Sequence, residues 1–415
     1  MAITAQELGR RLREAREACA MTQEQVAGKI GLSRASVAQM ELGNRQVTSL
    51  ELDRLAYLYG RDIRVFLSEQ FEAKDALTVM FRANPDLGRE GQVAEGLRRC
   101  IALGRALSDL ENLVGVEREA LIPAAYPLGP PKTKWDAIQQ GQQAAESERR
   151  RLELGDGPVG NLAALLESQG IRMAAASLPA DVSGITIYDP EVGVFVAVNK
   201  SHSATRQRFS MAHEYAHVLM DRDAVASIVS RGGNRTDLSE IRANAFAAVF
   251  LMPEKGLRRF VQGLGKGQAG RREARIFDET DVTRVQRRAK PYSQEIQIYD
   301  LAMAAHRFGV STSAALFRMQ NLGLVNDDQR ELLQDDIDRG LEKRAAQALG
   351  LDSGGCDPEL GGWEFKHRFV SLALEAYRRE LISEAKLREL AAMVGMPVEV
   401  VLSLLQGDDN GNNPD

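Results

Sequence analysis

Two histidines and a carboxylate stand at metal-binding spacing in the stretch Arg208-Phe-Ser-Met-Ala-His213-Glu214-Tyr-Ala-His217-Val-Leu-Met220. On a helix, residues four apart share a face. His213 and His217 therefore aim two imidazoles at one ion. Glu214 follows the first histidine and points beside the ion, where it can hold and deprotonate a water. Phe209, Ala212, Ala216, Val218, Leu219 and Met220 interleave with the polar set, as on a half-buried helix. A catalytic zinc site needs three protein ligands. The natural third is Glu240, at the start of the next helix, Ser239-Glu240-Ile-Arg-Ala-Asn-Ala-Phe-Ala-Ala-Val-Phe-Leu-Met-Pro253, with Asp237 a weaker alternative. The cofactor implied is Zn2+, one ion per chain. Asp221 and Asp223 follow the histidine helix; either could orient an imidazole, but solvent exposure is their default. Tyr188, Tyr215 and His202 are candidates for stabilising a tetrahedral oxyanion, and His202 otherwise reads as a surface residue.

Several elements must position this set. Leu162, Leu165 and Leu166 mark a helix ending before Gly170, and Ile171-Arg-Met-Ala reads as a short strand. Gly184-Ile-Thr-Ile-Tyr188, a turn at Asp189-Pro190, and Gly193-Val-Phe-Val-Ala-Val198 read as a β-hairpin. An edge strand beside a metal-binding helix can hold an extended peptide by main-chain hydrogen bonds. Residues 257–290 carry ten Lys/Arg and four Asp/Glu, with Gly263–Gly270, Arg271-Arg272 and Arg287-Arg288 among them. They read as a flexible basic loop, solvated by default; covering the active site and touching DNA phosphates are the alternatives.

Residues 206–253 resemble the ImmA/IrrE family of metallopeptidases. They match in Arg-x-Arg-Phe-x-x-Ala-His-Glu-x-x-His and in Glu-x-x-Ala-Asn-x-Phe-Ala-Ala-x-x-Leu-Met-Pro. The resemblance implies that His213, His217 and Glu240 are ligands and Glu214 the general base. It also implies cleavage of a protein partner, such as a repressor, in a stress or prophage-type response. The chain departs from the family at Ala216, where glycine is common, and at Val249, where an acidic residue is common; both leave the ligand set intact.

The first seventy residues have another use. Leu8, Leu12, Ala15 and Cys19 recur at helical spacing. Thr22 caps a helix from Gln23 to Ile30, Gly31 ends it, and Ser33 caps another from Arg34 to Leu42. A fourth helix runs through Leu50, Leu52, Leu55 and Leu58, and a fifth carries Val65, Phe66 and Leu67. Two short helices joined by a glycine turn describe a helix-turn-helix. The segment Met21–Arg45 resembles the lambda-repressor-like (XRE) class, which implies binding of double-stranded DNA with the third helix in the major groove. There the leading polar residues are Ser33, Arg34, Ser36 and Gln39. Arginine can bond guanine, and glutamine adenine, in bidentate fashion. Gln23 and Arg45 are expected on phosphates. Ten Lys/Arg against nine Asp/Glu over 1–70 make the field weak, so a unit that docks protein instead is the alternative. This class acts as dimers on paired half-sites, which makes a second copy of the chain a candidate partner.

Between and after these units lie helices. Leu97, Ile101, Leu103, Leu107, Leu110, Leu113 and Val114 form an apolar stripe that needs a partner, in the chain or in a second copy. Asn84-Pro85-Asp86 is a turn signal, and Pro123, Pro127, Pro130 and Pro131 mark a boundary. Glu146-Ser-Glu-Arg-Arg-Arg151 reads as the solvated face of a helix. The segment Glu295–Gly323 resembles the helix pair that follows the ImmA/IrrE core. Its helix–Gly-Val-Ser–helix shape imitates a helix-turn-helix, but its position argues for packing.

With 415 residues, several domains are expected. The net charge of −5 raises no global basic field. Three isolated cysteines exclude a disulfide framework and a thiolate zinc site. No signal segment and no membrane-length apolar run appears, so a cytoplasmic location is expected. The fold class is multidomain, mainly α with a small β-sheet. It comprises a five-helix helix-turn-helix domain (1–70), a helical connector with a Pro-rich boundary at 123–131 (71–150), an α+β zincin-like metallopeptidase domain (151–290), C-terminal helices (291–406) and a tail expected to be disordered (407–415). The functional expectation is a DNA-binding regulator fused to a zinc-dependent endopeptidase. The alternative is a helix-turn-helix transcription factor whose peptidase-like domain is a non-proteolytic sensor or scaffold.

Overall fold

The computed structural model describes residues 3–19, 21–59, 61, 63–68, 71, 91–116, 124–176, 178–189, 193–221, 227–231, 236–266, 271–277, 282–288, 294–351, 363–397 and 399. The expected turn at Asn84-Pro85-Asp86 and the polar tail lie outside the described residues, as do Pro123 and Asp223.

Five helices open the chain: α1 (Ala5–Ala18), α2 (Gln23–Ile30), α3 (Arg34–Glu41), α4 (Ser49–Leu58) and α5 (Ile63–Leu67). Local chemistry sets their ends. Thr22 and Thr48 close capping boxes with Gln25 and Glu51, and Ser33 accepts from Ser36 N. Gly31, left-handed at φ 73°, turns α2 into α3. Leu12, Ala15, Val26, Val37, Met40, Leu55 and Phe66 form the core of this unit. The partly buried Arg16–Glu41 ion pair ties α1 to α3.

The second body is layered around a sheet. After α6 (Gly91–Val114), α7 (Lys134–Arg151) and α8 (Leu162–Ser168) come β1 (Ile171–Ala176), β2 (Val182–Asp189) and β3 (Gly193–Asn199). Then follow α9 (Ala204–Met220), β4 (Ser227–Arg231), α10 (Leu238–Leu251) and α11 (Glu254–Gly263). The sheet order is β1-β3-β2-β4, with β1 parallel to β3 and the other pairs antiparallel. The expected hairpin is present, pairing Gly184 with Val198 and Tyr188 with Val194. Alternate residues of the strands enter different cores. Val196 and Val198 pack with Met211, Ala212 and Tyr215 of α9, whereas Ile185, Ile187, Phe195 and Ala197 pack with Cys100 and Ile101 of α6. Both sheet faces are thus covered, which explains why the strands are nearly continuous apolar runs.

The α6 stripe finds its partners inside the chain. Leu107 and Leu110 pack with Phe369, Ala373 and Leu390 of α16 (Trp363–Arg378) and α17 (Glu384–Met393), whose ranges precede in the sequence only the close of the described chain. Helix α7, which falls in the connector by sequence boundaries, enters the same core as α9 and α10 through Ala144 and Ala145. Its charge run is a solvated face only in part: Glu146, Arg150 and Arg151 are exposed, but Glu148 and Arg149 are buried. Arg151, Tyr126 and Tyr215 converge on Glu148, and Arg149 donates to the carbonyls of Phe250, Gly155 and Gly157. Residues 257–290 also differ from expectation. Part of them is α11, and β5 (Arg271–Phe277) pairs antiparallel with β6 (Val282–Arg288). Cross-strand pairing is a non-local property that a composition rich in arginine and glycine does not display.

Beyond the ribbon, α12 (Ile298–Phe308) turns through left-handed Gly309 into α13 (Thr312–Asn321), capped by Ser311. Helices α14 (Asp327–Asp338) and α15 (Leu341–Ala348) follow. The α12–α13 pair packs inward, and Arg318 of α13 donates to Met252 O at 3.1 Å. Among the described residues no helix is long and apolar enough to cross a membrane.

Gly141 sits where α7 crosses α10, and a Cβ there would run into the backbone carbonyl of Arg242. Backbone cannot yield as a side chain can. Gly141→Ala should therefore lower stability by about 1–3 kcal/mol, read as a fall in Tm on thermal melting. An unchanged Tm would remove the close helix crossing from the account.

Candidate metal centre

Helix α9 lies against β2, and the fit is made by what β2 lacks. A Cβ built on Gly184 would come within 2.5 Å of Glu214 Oε1 and 2.8 Å of its Cγ. The glutamate occupies that space. Two residues along on the same strand face, buried Thr186 donates its hydroxyl to Glu214 Oε2 at 2.7 Å. Two further, Tyr188 donates its hydroxyl to the backbone carbonyl of His217 at 3.2 Å. The period of two on a strand places Gly184, Thr186 and Tyr188 together against the helix.

The three expected ligands are brought together. His213 Nε2 and His217 Nε2 are 3.1 Å apart. Glu240 Oε2 lies 3.2 Å from the first and Oε1 3.4 Å from the second. All three residues are buried. For tetrahedral zinc with bonds of ~2.0–2.1 Å, ligand atoms should be about 3.4 Å apart. The observed spacing fits an ion of that size, and a set of two imidazole nitrogens and one carboxylate suits zinc chemistry.

The far side of each imidazole is also held. His213 Nδ1 faces Asn244 Oδ1 at 3.0 Å, and His217 Nδ1 faces Asp221 Oδ2 at 2.7 Å. With an oxygen acceptor at Nδ1, each ring donates there and keeps its Nε2 lone pair for an ion. Asp221 is in turn gripped by Arg242, which also donates to Gln140 Oε1 at 3.0 Å. Asp221 is therefore not the solvent-exposed residue its sequence position suggests. Burial opposes a charge on His217, but hydrogen bonds with Asp221 and Glu240 outweigh it and push its pKa up to about 10. Burial likewise opposes ionisation of Glu240, but His213 and His217 hold it down to about 2. The pocket thus favours a positive charge, which a metal ion replacing the histidine proton supplies.

One buried atom tests the fit directly. Among the described residues Glu214 Oε1 has no hydrogen-bond partner, although Glu214 is fully buried. An unsatisfied buried carboxylate oxygen is costly, and a water beside the ion would satisfy it. Ser230 pairs with Gly184 across β2 and β4, and its buried hydroxyl also has no partner among the described residues. Sequence reading missed Gly184, Thr186, Asn244, Arg242 and Ser230 as parts of this neighbourhood. Only the register of β2 against α9 and β4, or the fold of α10 onto α9, reveals them.

The other candidates fall elsewhere. Tyr215 is buried, with its hydroxyl on Glu148. Burial and that carboxylate push its pKa up. His202 Nε2 is 3.3 Å from Ala180 O, before α9 begins. Asp237 is the N-cap residue of α10 and not one of the clustered groups. In the helix-turn-helix unit, Arg34 and Gln39 are exposed on α3. The Ser33 hydroxyl caps that helix and lies 2.9 Å from the Ser36 hydroxyl. Gln23 donates to Glu41 at 2.8 Å, and Arg45 to Glu51 at 2.7 Å.

Comparison with known proteins agrees with both units. Residues 166–276 match a peptidase-family model described as an IrrE N-terminal-like domain. Residues 7–65 match a model described as a helix-turn-helix domain. No curated protein matches the chain.

Removing the group that orients His217 should weaken the site without emptying it. Asp221→Ala is expected to lower zinc affinity about 10–100-fold, measured by competition with a chromophoric chelator. Thr186→Val, which touches no ligand, should leave that affinity unchanged. Wild-type affinity in the Asp221→Ala protein would show that Asp221 does not orient the imidazole.

Proposed function

We propose that this chain, which carries a helix-turn-helix domain ahead of an IrrE N-terminal-like domain, is a DNA-binding regulator whose second domain is a zinc-dependent endopeptidase acting on a protein partner. The observation that carries the reading is the free oxygen of Glu214. It is a buried base, held from the other side by Thr186, beside three side chains at zinc-ligand spacing.

Zinc bound by His213, His217 and Glu240 would polarise the scissile carbonyl and make a neighbouring water acidic. Glu214 accepts the proton of that water through Oε1 and delivers it to the leaving amine. Thr186 donates to Oε2 and so keeps Oε1 turned to the reaction. Asn244 and Asp221 hold the imidazole rings in the ligating orientation. The surroundings are buried, which strengthens each of these electrostatic contacts.

The amino-terminal unit (1–70) would address this activity to DNA. Arg34 and Gln39 would read base edges, with Ser33 and Ser36 beside them on the groove-facing helix, and Gln23 and Arg45 would touch phosphates once their internal hydrogen bonds are exchanged. Paired half-sites would require two copies of the chain. A repressor is the partner that the ImmA/IrrE resemblance suggests as substrate.

Glu214→Gln is expected to retain stoichiometric zinc and to lower cleavage by about two to four orders of magnitude. His217→Ala should lose the metal. The assay pairs metal analysis of purified protein with incubation against repressors encoded nearby. Full cleavage by the Glu214→Gln protein would refute the mechanism. Zinc with no cleavage of any partner by the wild type would favour the sensor or scaffold role.

A further inference from the structure

Strands β5 and β6 form a two-stranded ribbon separate from the main sheet. They hold six arginines, Arg271, Arg272, Arg275, Arg284, Arg287 and Arg288, and one acidic residue, Glu273. The register sets these arginines against each other: Arg271 opposite Arg288, Arg272 opposite Arg287, and Arg275 opposite Arg284. Glu273 stands opposite Gln286, so no rung of the ribbon pairs a base with an acid. In sequence, Asp278, Glu279 and Asp281 fall between the two strands.

This arrangement works against the ribbon's own stability. Directly opposed like charges destabilise a strand pair, and a two-stranded hairpin is marginal even without them. A solvated surface strand needs no such pairing; mixed signs would serve it better. Three like-charge rungs are favourable when the counter-charge comes from outside as a polyanion. By the alternation of strand residues, Arg271, Arg275, Arg284 and Arg288 occupy positions on one face and Arg272 and Arg287 on the other. Arginine positions therefore fall on both faces of the ribbon, with Glu273 at a position on the first of them.

We propose that the β5–β6 ribbon, with its three directly opposed arginine rungs, is a second contact with the phosphate backbone of double-stranded DNA, separate from the helix-turn-helix and independent of sequence. Arginine matches phosphate in bidentate geometry, and a two-stranded ribbon is of a size that a duplex groove admits. The choice of DNA over an acidic protein segment rests on the DNA-binding reading proposed above: a helix-turn-helix domain on the same chain would bring duplex DNA within reach. The contact would hold the domain that carries the metal centre on DNA and does not depend on whether that centre cleaves peptides.

The test uses the full chain and a fluorescent duplex of random sequence, with binding measured by anisotropy across a series of salt concentrations. Replacing Arg272, Arg275, Arg284 and Arg287 by glutamine should make the slope of log K against log salt shallower by about 0.9 for each arginine that meets a phosphate. Replacing the same four by lysine should preserve the slope. In an Arg34→Ala, Gln39→Ala background, residual duplex binding should persist and then be abolished by the glutamine set. A wild-type slope in the glutamine variant overturns the proposal. Loss of binding in the lysine variant overturns it too, because charge is then not what the ribbon supplies. If the glutamine set weakens binding of poly-glutamate but not of the duplex, the ribbon belongs to an acidic protein partner.

Discussion

The metal centre depends on the contact between helix α9 and strand β2. A side chain at position 184 would displace the Glu214 carboxylate, which fills the space its Cβ would take. With glycine there, the helix settles onto the strand and three consequences follow together. Thr186 reaches one oxygen of Glu214, Tyr188 pins the carbonyl of His217, and the apolar side of the helix meets Val196 and Val198. The two imidazoles are left to meet Glu240 of α10. The base and the ligands are thus fixed by a single packing decision, and the rigidity of a close-packed interior holds them there.

The charges around that contact are arranged to match a dication. Glu214, Glu240 and Asp221 are three buried carboxylates and, among the described residues, Arg242 is the guanidinium bonded to Asp221, so a divalent ion would bring the formal sum of these groups to zero. Other buried arginines are kept out of this count. Arg149 and Arg318 donate to the carbonyls of Phe250 and Met252 at the C-terminal end of α10, and Arg208 donates to those of Val159 and Gly160. Cations at a helix C-terminus are favoured by the helix dipole. Arg149 and Arg318 gain from that dipole, and all three arginines satisfy backbone carbonyls.

What the sequence discloses follows from the range of the interaction. Helix ends in the amino-terminal unit are local chemistry, and Thr22, Ser33 and Gly31 announce them. His213, Glu214 and His217 are likewise local, a spacing on one helix, and Glu240 is legible because a catalytic metal needs one more ligand. Asp221 looked exposed because its partner, Arg242, lies on another helix. Glu148 and Arg149 looked solvated because charge runs usually are, and only the packing of α7 onto α10 shows otherwise. Strand β4 and the arginine ribbon were missed for a similar reason: pairing partners decide a strand, and an arginine-rich stretch reads as loop. The two helix–turn–helix shapes show the limit well. Gly31-Leu32-Ser33 and Gly309-Val310-Ser311 make the same left-handed turn and serine cap. They differ in what the following helix turns outward. Arg34 and Gln39 are exposed on α3, whereas Arg318 of α13 is turned into the core.

The ion pairs along α6 show how the two halves of the molecule are joined. Glu111 is buried between Arg172 of β1, at 3.1 Å, and Arg368 of α16, at 2.8 Å. Removing one partner of a buried pair typically costs about 3–5 kcal/mol, because a charge is left unmatched. Arg64 of α5 meets Asp109 on the same α6 helix at 3.0 Å, but both side chains are largely exposed. Such pairs contribute at most about 1 kcal/mol and weaken with salt. Glu111 thus ties α6 to β1 and α16 by a charge that neither partner can leave without cost, whereas the exposed Arg64–Asp109 pair adds little to the contact between α5 and α6.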